Sequence, residues 1–426
     1  MGQTNGNQRK RVLLLTTPAS YRTPAFLAAA ERLGLEAIQA VDLPEPLARE
    51  WNVPLGVDFT RPERAAEQVA AFVREQPVDA ILPLDDSATV LAALACARVG
   101  LPHNAPDAAL AARDKYLMRE MLAAGGVPVP HFQRFSAASD PAHIARQVNY
   151  PCVVKPTILS GSRGVIRADD PDQFVAAFAR TRDILASEGW APEAASILVE
   201  EFLPGFEVAL EGLLTENGLQ VLALFDKPDP LDGPFFEETI YVTPSRLPEE
   251  TQAAIAETTA RGAAALGLRQ GPIHAELRIN ERGPWIIEMA GRSIGGLCST
   301  VLEFGTGYKL EDLILLQAVG EPLPEPDIAA PAVGVMMIPI PASGILRRVD
   351  GVEEASKVPG ITGVEITARL NHPIAALPEG ASYLGFIFAR AETPVAVEAA
   401  LREAHGRLRI RITPEIRLRP IAAPAR

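Results

Sequence analysis

Basic charge, cysteine, aromatic side chains and long apolar runs are all scarce in this chain, and each scarcity excludes something. Lys and Arg number 40 against 53 Asp and Glu, a net charge of −13. A surface of that sign repels nucleic acid and anionic membrane, although a local basic pocket stays compatible with it. The 3 cysteines, Cys96, Cys152 and Cys298, stand far apart among apolar or small residues. They form neither a disulfide framework nor a metal-binding spacing, which fits buried thiols in a reducing cytoplasm. No apolar run approaches the roughly 20 residues needed to span a bilayer. The basic start MGQTNGNQRKR leads into an apolar run of only 12–15 before Thr16, Thr17 and Pro18, too short for a secretory signal. Gly6 occupies the place where a myristoylation pattern needs Ser or Thr. A disordered tail ahead of a buried strand, and a cytoplasmic protein, are the expectations. No G-x-G-x-x-G follows the first strand, and no Gly-Lys-[Ser/Thr] opens a helix.

What is present is a 426-residue chain, enough for two to four domains. Apolar runs at 12–15, 37–41 and 80–83 alternate with helical patterns at 24–33, 61–75 and 87–99. Strand–helix alternation of this kind implies parallel βαβ units covered on both faces. Residues 101–106 read as a linker and 108–124 as one helix carrying Asp114, Lys115 and Arg119. The strand 152–156 ends in Lys155 and enters the loop TILSGSRGV, where Ser160, Gly161, Ser162 and Gly164 let backbone amides approach an anion. A helix over 170–185 with Asp170 as its cap, strands at 197–202, 206–213 and 220–225, and an Ala-rich helix over 248–266 follow. A helix over 309–319 precedes the proline-rich stretch 321–331, a domain boundary. Beyond it, strands at 333–340, 363–368 and 384–389 surround a helix over 394–406.

The most informative stretch is PIHAELRINERGPWIIEMAGRSIGG, residues 272–296. Alternation over 274–280 predicts a half-buried strand, Glu281-Arg282-Gly283 a three-residue turn, and 285–289 the returning strand. Pairing Asn280 with Pro284 sets Glu276 opposite Glu288. Carboxylates so placed, with Cβ atoms roughly 5 Å apart, repel one another. A hard divalent cation between them removes the penalty; a hairpin whose carboxylates point into water also removes it. Arg292 follows in a Gly-rich turn as a clamp for an anion.

In this order the motifs resemble the ATP-grasp superfamily, and within it the L-amino-acid ligase type of carboxylate–amine ligase. The resemblance implies an α/β and α+β multidomain fold: a Rossmann-like parallel sheet (1–107), two ATP-grasp α+β lobes (108–195 and 196–320) and a small C-terminal α+β module (332–426). It implies that Lys115 and Lys155 bind ATP and that residues 160–164 form the lid over its phosphates. In VEEFLPGFE, Glu200 and the backbone of Glu201, Phe202 and Leu203 become the adenine hinge, with Glu207 on the ribose and Lys227 on the phosphate side. Glu276 and Glu288 become ligands of Mg²⁺, or of Mn²⁺ in its place, and Arg292 faces an acyl-phosphate. Glu237, Glu238, Tyr241 and Leu297 become walls of the substrate pocket. Ala290 stands where many relatives carry a third ligand, Asn, and Tyr241 where ligases of this type often carry His. The implied reaction joins a small-molecule carboxylate to an amine through an acyl-phosphate, with release of ADP and phosphate. Neither nucleic acid nor membrane takes part, and the relatives suggest a homodimer. An ATP-grasp carboxylase or ribonucleotide ligase, and a nucleotide-binding regulator without catalysis, stay open as alternatives.

Overall fold

The computed structural model describes residues 9–304, 307–324 and 331–415. The tail expected over 1–8 and the middle of the expected linker, 325–330, lie outside the described residues. The N-terminal domain is a parallel sheet in the order Leu55–Val57, Glu36–Asp42, Arg11–Thr16, Ala80–Pro83. Val12 to Leu15 are fully buried, as befits a strand covered by helices on both faces. The loops leaving Arg11–Thr16 and Ala80–Pro83 meet at the C-terminal edge of this sheet. There Asp85 accepts hydrogen bonds from the Thr17 amide (2.9 Å), the Thr17 hydroxyl (3.0 Å) and Ser20 Oγ (2.8 Å).

The single helix expected over 108–124 is two, Pro106–Ala111 and Lys115–Ala124. Asp114 separates them by capping the second, accepting from the Tyr116 and Leu117 amides at 2.8 and 3.0 Å. The uniform Ala-rich pattern hides this break, which places Lys115 on the first turn.

The first lobe is an antiparallel sheet ordered Phe132–Ser136, Ser196–Glu201, Cys152–Pro156, Ile166–Ala168. Helix Pro171–Ser187 packs on it through Phe174 and Phe178. Strand Ser196–Glu201, expected to open the second lobe, lies in the first lobe's sheet, so the chain crosses between lobes at residues 202–205. Gly205 makes that crossing with φ 138°, and a Cβ there would sit 2.2 Å from the Ile279 carbonyl oxygen.

The second lobe's sheet has eight strands, ordered Gly283–Ala290, Gly271–Asn280, Phe206–Thr215, Gly218–Lys227, Ile240–Thr243, Ala332–Ile338, Gly385–Ala391, Ile361–Ile366. The last three come from beyond the proline-rich stretch, so that stretch does not divide two sheets. One apolar cluster joins Phe26, Phe225, Leu313 and Phe386, from the N-terminal domain, the second lobe and the C-terminal module. The hairpin turn consists of Glu281 and Arg282 alone, and Asn280 pairs with Gly283 rather than Pro284. A bulge at Ile287 then shifts the register by one residue and restores the pair Glu276–Glu288. Among the described residues no helix is long and apolar enough to cross a membrane.

Candidate active site

Two cavities lie side by side between the lobes. The narrower one, about 80 Å³, runs between the two sheets and has Val153, Leu203, Leu231, Phe236 and Ile287 as apolar walls. Its polar rim carries Lys115, Lys155, Glu200, Glu207 and Glu288. The wider one, about 390 Å³, lies between the second lobe, the loops of the N-terminal domain and the C-terminal module. Ser162, Glu238, Glu276 and Glu288 line both.

The first-lobe wall carries a surplus of positive charge. Lys155 and Arg119, both buried, share the single carboxylate of Glu200; Arg119 Nε stands 3.0 Å from Glu200 Oε2, and Lys155 bonds Oε1. Arg119 also donates to the carbonyl of the bulge residue Ile287 at 2.7 Å, while its Nη1 has no acceptor among the described residues. Burial lowers the Lys155 ammonium to about 8, with Glu200 pulling the other way and Arg119 adding to the fall. Glu200 is held below the usual carboxylate range because Arg119 and Lys155 outweigh its burial. Its carboxylate therefore organises two cations and is not free for a further partner. The Leu203 amide has no acceptor among the described residues. The Glu201 amide is taken by the His131 carbonyl at 2.9 Å.

The second-lobe wall is anionic. Carboxylate oxygens of Glu207, Glu238 and Glu276 lie within 4.8 Å of one another. Lys227 sits among them, 2.9 Å from Glu207, 3.4 Å from Glu276 and in contact with Glu238. Burial disfavours the charged lysine, but the three carboxylates prevail and raise its pKa well above the ordinary value. Glu238 is pushed up to about 7 by burial and by Glu276. Glu276 goes the other way: Lys227 and the His274 hydrogen bond overcome its burial and lower it. His274 is buried between Glu211 (3.0 Å) and Glu276 (3.5 Å), which raise it to about 9 against the effect of burial. Arg278 ties Glu207 (2.8 Å) to the Leu203 carbonyl (2.7 Å), so the hinge and this wall are fixed together.

Most of the residues singled out by sequence meet here. Lys115, Lys155, Ser162, Glu200, Glu201, Phe202, Leu203, Glu207, Glu238, Glu276 and Glu288 line the narrow cavity. Ser160, Gly161, Tyr241 and Arg292 line the wide one, and Lys227 bridges the carboxylates. Glu288 faces Lys115 at 3.3 Å rather than joining the cluster around Lys227. Glu238 lines the wide cavity and also belongs to that carboxylate cluster, and Tyr241 donates to it at 2.9 Å. Glu237 and Leu297 line neither cavity; Leu297 packs against the shared apolar core. Arg292 is held by Asp86 of the N-terminal domain in two bonds, Nε to Oδ1 at 2.7 Å and Nη2 to Oδ2 at 2.9 Å. Sequence reasoning assigned no role to Arg119, Glu211, His274, Arg278, Asp86 or Arg22. The alternation over 274–280 points His274 and Arg278 to the same face as Glu276, and Asp86 follows a strand end, where open α/β sheets bind ligands. Those were the available signals.

Comparison with known proteins supplies the family. Residues 27–103 match the ATP-grasp N-terminal domain, 148–301 the ATP-grasp domain and 336–413 the L-amino acid ligase C-terminal domain 2. The alanine–anticapsin ligase of Bacillus subtilis is 30% identical over 256 residues, 56% of this chain and 53% of that protein. Carnosine synthase 1 of Gallus gallus is 30% identical over 301 residues, 64% of this chain and 31% of that protein. The chain thus spans about half the length of the first of these relatives and a third of the second. The crystal structure of L-amino acid ligase from Bacillus licheniformis superposes with TM-score 0.78 at 27% identity, covering 96% of this chain and all of that one. With three family domains in sequence order and a matching solved fold, the chain belongs to the ATP-grasp superfamily and carries the C-terminal domain of its L-amino acid ligases.

Proposed function

We propose that this protein is an ATP-dependent ligase joining a carboxylic acid to an amine, of the dipeptide-forming type, through an acyl-phosphate. The observation that carries the reading is the junction of the two cavities at Ser162, Glu238, Glu276 and Glu288. A narrow apolar-walled slot ends there, with a Leu203 amide that has no acceptor among the described residues, against a second and wider cavity.

The apolar slot takes the purine, and the surplus cations Lys155 and Arg119, with Lys115, draw the phosphates of ATP toward the junction. The oxygen donors Glu207, Glu238, Glu276 and Glu288 suit Mg²⁺, a hard cation bound by carboxylates beside substrate phosphates. When bound, such an ion offsets charge on the phosphate oxygens during transfer. A substrate carboxylate oxygen attacks the γ-phosphorus, the bond to the β–γ bridging oxygen breaks, and ADP leaves. The amine nitrogen then adds to the acyl carbon, the C–O bond to phosphate breaks, and amide, phosphate and a proton are released. No protein nucleophile is required; positioning and electrostatics supply the rate.

The test is phosphate release from ATP in a matrix of amino acids, amines and bicarbonate, on wild type and Glu288→Gln. Glu288 is 30% exposed and Gln keeps an oxygen acceptor for its buried partner Lys115, and melting temperature serves as the folding control. The expectation is release that needs both a carboxylic acid and an amine, and that falls by about 10²–10³-fold in the variant. Release driven by bicarbonate alone, or near wild-type release by Glu288→Gln, refutes the reading.

A further inference from the structure

Each residue of the turn 292–294, which follows the hairpin, is held by a side chain from elsewhere in the chain. The Ile294 amide donates to Glu211 (3.1 and 3.0 Å), Ser293 Oγ accepts from Arg22, and Arg292 is paired with Asp86. Glu211 stands on a strand of the second lobe, whereas Arg22 and Asp86 belong to the N-terminal domain. Neighbouring carboxylates divide the work there: Asp85 accepts from the 17–20 loop, and Asp86 reaches across to Arg292. The Thr89 hydroxyl donates to the Asp86 carbonyl at 2.9 Å and fixes the backbone of Asp86.

A guanidinium carries five N–H donors in a rigid fork. Asp86 takes two of them, through Nε and Nη2, and the Ser293 carbonyl takes one from Nη1 at 2.9 Å. One N–H on Nη1 and one on Nη2 have no acceptor among the described residues, on a side chain that lines the wide cavity. The grip of Asp86 thus decides which donors stay available. It also decides where the charge is drawn. Burial works against the charge on Arg292, Asp86 favours it most, and Glu288 comes next among its acidic neighbours. Without Asp86 the strongest remaining pull on the guanidinium is toward Glu288, the partner of Lys115 and a carboxylate suited to Mg²⁺.

Resting on the ligase reading above, we propose that Asp86 is a positioning residue for phosphoryl transfer, holding Arg292 with its two unpaired N–H donors open to the wide cavity and its charge off Glu288. Those donors meet the negative charge of the phosphoryl group in transfer, which fixed donors stabilise better than mobile ones. A long side chain ordered beforehand by an ion pair has less rotamer freedom to lose in the transition state. Asp86 does this from the N-terminal domain, without lining the nucleotide slot.

The experiment is a double-mutant cycle of Asp86→Asn and Arg292→Lys, since lysine cannot be gripped in two places. Asp86→Asn lowers kcat by about ten- to a hundredfold and leaves the KM for ATP within about twofold. In the Arg292→Lys background it changes kcat by less than about threefold, because the pair it serves is already broken. Effects that multiply in the double variant overturn the proposal, and so does a loss confined to KM. Failure of the ligase reading looks different: wild type itself then shows no release that needs both acid and amine. A second measurement needs no turnover. It is calorimetric binding of ADP, Mg²⁺ and aluminium fluoride, a mimic of the phosphoryl group in transfer, against ADP and Mg²⁺ alone. Wild type gains affinity from the fluoride, each single variant loses that gain, the double variant loses no more, and ADP alone binds all four equally. A gain that survives in Asp86→Asn overturns the proposal even where kcat falls. Where Asp86→Asn lowers the melting temperature by more than a few degrees, Asp86→Glu runs the same cycle with the charge retained, and the same outcomes decide.

Discussion

Lys155 illustrates how a site residue is tuned by sharing. Its partner Glu200 is also the partner of Arg119, so the buried triad retains one net positive charge. Burial brings the lysine to about 8, against roughly 10.4 for an exposed one. The sign follows directly. As pH rises through 8 the free protein loses this proton, whereas bound phosphate favours the charged form and holds it on. ATP binding therefore takes up a proton and weakens as pH rises. The kcat/KM for ATP should fall above pH 8, by about tenfold per unit once the lysine is mostly neutral, while kcat falls only at higher pH. Lys155→Arg, which keeps its charge throughout, should flatten the profile. A profile unchanged in Lys155→Arg would assign the titration elsewhere.

At the scale of elements, the 160–164 loop, the lid of the proposed reading, is tied to residues 378–379 of the C-terminal module. The Gly164 amide donates to the Pro378 carbonyl (2.9 Å), Arg163 Nε to the Glu379 carbonyl (2.8 Å), and Arg180 grips the Glu379 carboxylate through Nε (2.6 Å) and Nη2 (2.9 Å). The same loop carries Ala381, Ser382 and Tyr383 to the wall of the wide cavity. It therefore touches both the 160–164 loop, a lid over the nucleotide in the proposed reading, and the wide cavity. Arg180 and Glu379 are about 45% exposed, so the pair adds little to stability. Glu379→Ala should leave the melting temperature within a few degrees. It should raise the KM for ATP by about three- to tenfold and increase ATP hydrolysis without amine, because the lid closes less often. Unchanged hydrolysis with intact substrates would show that the lid closes without this latch.

The latch was not legible in the sequence, because Gly164 and Glu379 are brought together only by the fold. The strands were legible, since alternation over 274–280 and unbroken apolar runs such as 12–15 follow from which faces are buried. The hairpin shows the limit. A bulge has no composition of its own, so the expected turn was one residue too long, and the predicted pair Glu276–Glu288 was reached in the structure by a different register. The break at Asp114 escaped for a related reason, as an Asp inside an Ala-rich run reads equally as a helix surface or a cap. Pairings such as Arg292 with Asp86 and Lys227 with Glu238 depend on tertiary contacts that spacing does not encode.

At the scale of the whole molecule, the C-terminal module completes the site rather than following it. Strand Ile240–Thr243 is wholly buried and pairs along its length with Ala332–Ile338, but with the preceding strand only at Asp226–Val242. Its position in the sheet is therefore set from beyond the proline-rich stretch, and with it Tyr241 and the neighbouring Glu238. Met337 and Phe386 of the module line the wide cavity, opposite the N-terminal loop that carries Arg22. A chain ending at Pro324 would expose the apolar edge of Ile240–Thr243 and the faces of Phe225 and Leu313 that pack in the shared core. Such a chain should aggregate, or remain soluble only without a cooperative melt and without ADP affinity. In the full chain, amides of 240–243 and 332–338 should exchange with deuterium at matching rates, as parts of one unit. A soluble truncated chain with a sharp melt and normal ADP affinity would instead make the module an appendage, and would move the wide cavity's function back to the two lobes and the N-terminal domain alone.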